Sequence, residues 1–126
     1  MIDLNDWLET AKKAENADKC GMYLTHNGVV RADAKARVRE GDEDAAQVVG
    51  MDFSYDEKKV KACEEEALKL PGIYYVRTWL ASGRLKVGDD IMFVLIGGDI
   101  RPHVTDALSF LVGKIKTECV QETELN

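Results

Sequence analysis

The segment "DDIMFVLIGG", residues 89–98, does most to limit how this chain folds. Its apolar run from Ile91 to Ile96 lacks the polar alternation of a strand with one face in water, and it is far too short to span a membrane. It reads as a strand covered on both faces, entered through a turn at Gly88-Asp89. The rest of the chain must therefore supply the covering layers.

Three other segments have strand character. "IYYVRTWLASG" sets Tyr74, Val76, Thr78 and Leu80 against Ile73, Tyr75, Arg77 and Trp79. "CGMYLTHNGVVR" reads as a strand with an irregularity at Gly28, and "VVGMDFSY" as a third. Helical spacing marks residues 3–15 through Leu4, Trp7, Leu8 and Ala11, with Asp3 or Asn5 as cap. It recurs in "YDEKKVKACEEEALKLPG", capped by Asp56, carrying Val60, Cys63, Ala67, Leu68 and Leu70, and stopped by Pro71-Gly72. A last helix starts near Pro102, with Asp99 as the expected cap and Val104, Ala107, Leu108, Leu111 and Ile115 as its core stripe. Strands and helices intermixed, with hairpin-like strand neighbours, predict an α+β fold with an antiparallel sheet and packed helices.

The chain of 126 residues suits one domain spanning 1–126, with an exposed loop over about 32–47 and a tail at 118–126. Its formal net charge of -6 argues against nucleic acid or an anionic membrane as main partner. No apolar leader precedes the first helix, so a cytoplasmic protein is expected. Cys20, Cys63 and Cys119 form no CxxC pair and no ligand cluster with histidine, which fits reduced thiols and no metal site.

Within this pattern, "GMYLTHNGVVR", "YYVRTWLASGRLKVGDDIMFVLIGGDIR" and "ALSFLVGKIKT" follow in an order and spacing that resemble the large, catalytic subunit of molybdopterin synthase, over residues 21–117. The resemblance implies an α/β hammerhead-like fold. It implies transfer of sulfur to cyclic pyranopterin monophosphate, which yields molybdopterin. The sulfur donor would be the C-terminal Gly-Gly thiocarboxylate of a ubiquitin-like small subunit. A homodimer of large subunits and no resident cofactor are implied as well.

The same resemblance singles out Lys116 as the catalytic residue, and Arg31 and Arg101 as binders of phosphate or of the partner's C-terminal carboxyl group. Guanidinium suits both anions because it can donate two parallel hydrogen bonds. Arg101 stands at a helix start, where the macrodipole disfavours a cation, so it calls for another reason to be there. From the residues alone, Arg31 equally fits a surface arginine, and Lys116 a lysine that stabilises a helix end. A stem for Lys116 half-buried beside the core stripe is the expectation that would make its amine a better base. On one helix Arg101 and Lys116 would stand about 22 Å apart, so both serve one site only if Arg101 arrives from a second subunit.

The chain also departs from that family. Ile100 replaces a histidine, with His103 as a candidate surrogate; Thr123 replaces a second lysine; Ala81 and Ser82 replace a His-Arg neighbourhood. A relative that lost the reaction and kept the ubiquitin-like partner, or a hot-dog-type thioester-binding domain, fits the same coarse pattern.

Overall fold

The computed structural model describes residues 2–43 and 47–126. The elements in order are α1 (Leu4–Lys12), a 3-10 turn (Ala17–Lys19), β1 (Met22–Val29), α2 (Lys35–Glu40), β2 (Gly50–Tyr55), α3 (Glu57–Leu68), β3 (Ile73–Leu80), β4 (Gly83–Lys86), β5 (Asp90–Gly98), α4 (Arg101–Lys114), a π-helical turn (Ile115–Cys119) and β6 (Val120–Leu125). Every strand pairing is antiparallel, in two sheets ordered β1-β5-β3 and β4-β2-β6. The fold is α+β, as the strand and helix patterns predict.

β5 is the middle strand of its sheet, which explains its unbroken apolar run. Alternate side chains leave it in opposite directions. Phe93 and Leu95 pack with Trp7 and Ala11 of α1, where the Arg77 guanidinium lies 4.4 Å from the Trp7 ring centroid. Met92, Val94 and Ile96 join the larger core, with Val60, Cys63 and Ala67 of α3 and Val104, Ala107 and Leu111 of α4. Met51 and Phe53 of β2 enter the same cluster, so the two sheets share one core.

Local chemistry sets most element ends. Asp3 caps α1 by accepting from the Asn5 and Asp6 amides at 2.9 and 3.4 Å, and Asp56 caps α3 by accepting from the Lys59 amide at 3.2 Å. Asp99 does not cap α4. Ile100 occupies the cap position without a side-chain bond, while the Asp99 carboxylate accepts from the Ile100 amide at 2.6 Å and pairs with His103 Nδ1 at 2.8 Å. Gly72 ends the connection from α3 with φ of 77°, and a Cβ there would collide with Asp99 Oδ1 and His103 Nδ1. Gly72→Ala is therefore expected to destabilise the protein by roughly 1–3 kcal/mol, visible as a lower urea midpoint.

Two predicted irregular segments are regular in part. The predicted loop over 32–47 contains α2, and residues 44–46 of it lie outside the described residues. α2 owes its start to a distant group, because the Lys35 amide donates to the Glu124 carboxylate at 2.9 Å. The predicted tail forms β6, paired with β2 from Tyr55↔Val120 to Gly50↔Leu125. No helix among the described residues is long and apolar enough to cross a membrane.

Candidate active site

A β-bulge interrupts the pairing of β1 with β5 beside the site. The register with β5 runs evenly to Gly28↔Met92 and then shifts, so that Val29 pairs with Asp90. His26, Gly28 and Val29 of β1, and Arg31 just beyond its end, line one cavity of about 450 Å³. Val30 reaches the core at 2% exposure, continuing the inward alternation of Leu24, His26 and Gly28, while Thr25, Asn27, Val29 and Arg31 are exposed.

Lys116 enters the same cavity from the π turn. Helix α4 carries a glycine, Gly113, near its end, and the Thr117 hydroxyl donates to the Gly113 carbonyl at 3.0 Å, two features that loosen an α-helical ladder. Ile115 and Cys119 anchor the turn in the core, and Lys114 ties it to α3 through Glu66 at 2.7 Å. The wider turn takes Lys116 off the α-helical stripe. Lys116 is exposed as a whole residue while lining the cavity.

Two more cations complete the wall: Lys35 and Arg39, four residues apart on one face of α2. β6 contributes Glu122 and Glu124, while Met51, Ile91 and Met92 form an apolar floor. Among the described residues four fixed cations face two carboxylates, one of which also holds the α2 amide, so these groups give the cavity an excess of positive charge in an acidic protein. Burial and the nearby Lys116 ammonium both hold the His26 imidazole below its usual pKa.

Arg101 and His103 are not brought into this cavity within one chain. They stand at the opposite end of α4, Arg101 exposed and His103 bonded to Asp99. Thr123 faces a separate groove with Asp52 and Arg84.

Residues 2–118 match the family described as MoaE protein. The chain belongs to the MoaE family.

Solved structures carry the same fold. A molybdopterin synthase from Staphylococcus aureus is similar with a TM-score of 0.75 and 18% identity, over 98% of this chain and 85% of that one. A MoaE protein from Burkholderia ambifaria MC40-6 is similar with a TM-score of 0.72 and 24% identity, over 99% and 78%. In Helicobacter pylori 26695, a chain from the complex of subunits 1 and 2 of molybdopterin-converting factor gives 0.67 and 15%, over 98% and 79%. At such identities the likeness concerns the fold. No curated protein sequence matches the chain.

Reading residues alone misses five cavity groups of this MoaE chain: His26, Lys35, Arg39, Glu122 and Glu124. The spacing of Lys35 and Arg39 carries a signal only once a helix is granted.

The cysteines stand apart from this cavity. Cys63 and Cys119 are buried with their Sγ atoms 3.5 Å apart, and burial together with that contact pushes the Cys119 thiol up to about 12. A thiol so placed stays protonated and is a poor nucleophile. Native protein is expected to release colour from Ellman's reagent promptly at half-buried Cys20 alone, with the other two thiols reacting on unfolding; prompt reaction of all three would contradict this burial.

Proposed function

We propose that this protein acts in molybdenum cofactor biosynthesis as the large subunit of a molybdopterin synthase, moving sulfur from a thiocarboxylated small subunit to cyclic pyranopterin monophosphate. Membership of the MoaE family supports the pathway. The observation that carries the reaction is the convergence of Arg31 and Lys116, with Lys35 and Arg39, on one cavity. Guanidinium and ammonium groups suit both anions of this reaction, the phosphate of the pterin and the carboxylate that the small subunit keeps after giving up its sulfur.

In this reading Arg31 grips the phosphate and Lys116 moves the proton as the acyl-sulfur bond breaks. The apolar floor of Met51, Ile91 and Met92 lies beneath the pterin ring. Arg101, with His103 beside it, comes from a second copy of the chain in a homodimer, because α4 separates them from Lys116 within one copy. Lys35 and Arg39 compensate for the cations missing at Ile100 and Thr123. The partner is a ubiquitin-like small subunit, as the two-subunit complex from H. pylori suggests by analogy.

Conversion of cyclic pyranopterin monophosphate to molybdopterin by the purified protein, supplied with its thiocarboxylated small subunit, tests the proposal. Product formed in proportion to protein is expected. A bound small subunit without product would leave a partner-binding protein and end the enzymatic reading.

A further inference from the structure

His26 shares the cavity with Arg31 and Lys116, and the reaction as proposed gives it no task. Its Nε2 stands 3.7 Å from the point a Gly28 Cβ would occupy, so the ring leans along β1 toward Gly28. Among the described residues the imidazole makes no hydrogen bond, and it is only half-buried, which leaves it open to a ligand. The charged groups around it are Lys116 from the π turn, Arg31 beyond the bulge, Lys35 and Arg39 from α2, and Glu122 and Glu124 from β6. The strands packed beside it, β2 and β5, add only apolar side chains to the cavity.

We propose that His26 is a proton-recruited anion-binding residue: a doubly charged oxyanion seated beside Arg31 and Lys116 draws a proton from solvent onto the imidazole, which then becomes a further cationic donor. The inference rests on the anion-binding reading of this cavity. In the empty cavity burial and the Lys116 ammonium hold the imidazole neutral near pH 7. A bound dianion reverses the local field, so the charged imidazole becomes the favoured form.

The sign follows by linkage. If the bound anion raises the imidazole pKa, then protonation strengthens anion binding by the same factor. Affinity is lowest above the bound-state pKa, rises as pH falls through the interval down to the free-state pKa, and levels off below it. The ligand class so favoured is the doubly charged phosphate monoester. A singly charged phosphodiester, which the cyclic phosphate of the proposed substrate is, supplies a weaker field and gains less, so His26 favours a ring-opened monoester over the cyclic substrate.

Sulfate is the probe, because it stays doubly charged across this pH range. The chain has two histidines, and the imidazole resonance missing from His26→Gln identifies the one that matters. At constant ionic strength, saturating sulfate is expected to raise the His26 midpoint by about one unit, equivalent to roughly tenfold tighter sulfate binding at the low end of the range. His26→Gln is expected to flatten that pH dependence. Lys116→Met is expected to raise the midpoint in sulfate-free protein, as removal of the neighbouring ammonium requires, and no such rise would overturn the field that the proposal assigns to the empty cavity. A His26 midpoint unmoved by sulfate, with binding still lost in Arg31→Ala, would overturn the role of His26 and leave the cavity reading intact. No Arg31-dependent sulfate binding at any pH would overturn both. The wild-type titration decides the question even if His26→Gln folds poorly.

Discussion

Lys116→Ala is expected to lower kcat for molybdopterin formation by about 10²–10⁴-fold while leaving the thermal midpoint unchanged. The size follows from what a positioned acid–base group contributes, about 3–5 kcal/mol of transition-state stabilisation at 1.36 kcal/mol per tenfold. The unchanged stability follows from the position of Lys116, exposed on a turn whose anchors are its neighbours Ile115 and Cys119. Two roles for the ammonium separate in Lys116→Arg. Arginine keeps the charge and does not give up its proton. If Lys116 only attracts anions, the arginine variant recovers most of the rate; if it transfers a proton, the variant stays as slow as alanine. We predict the second outcome, read as kcat with substrate binding largely retained.

Leu111→Ala is expected to cost about 2–5 kcal/mol, read as a lower denaturant midpoint at unchanged slope. Leu111 is fully buried on the α4 stripe with Val104, Ala107 and Ile115, against Met92, Val94 and Ile96 of β5. That strand is held on both sides, so the surroundings have little freedom to close over the space left behind. Leu68 is the contrast. At 42% exposure its truncation is expected to stay within about 0.5 kcal/mol. A loss at Leu111 no larger than at Leu68 would mean that α4 does not seat on the sheet in this way.

The parts of the fold legible in the sequence are those fixed by near neighbours in the chain. The run through β5, the capped starts of α1 and α3, the stop at Pro71-Gly72 and the stripe of α4 each depend on spacing or on a side chain a few residues away. What escaped depends on distant partners. α2 is short, and its first amide is satisfied by Glu124, 89 residues downstream. "VQETEL" has few strong strand formers and becomes β6 because β2 offers it a partner.

The candidate site divides the same way. Arg31 and Lys116 were legible through the family resemblance, and they line one cavity from just beyond the end of β1 and from the π turn at Ile115–Cys119. The π turn does not follow from periodicity, because it is a departure from it. The acidic residues of the tail were visible, but their position at the edge of the cationic cavity required the β2–β6 register. Thr123, expected at a lysine position of the site, falls on the other face of that strand.

The central claim is a sulfur-transfer site built from Arg31 and Lys116 of one subunit and Arg101 of another. Mixed dimers test it most directly. Lys116→Ala and Arg101→Ala subunits, each nearly inactive alone, are unfolded together and refolded in equal amounts. In a two-fold dimer with shared sites, each mixed dimer regains one site with both residues intact, and the mixture is expected to recover about a quarter of wild-type molybdopterin formation. Activity no higher than that of the separate variants, with mixed dimers shown to have formed, would contradict the shared site.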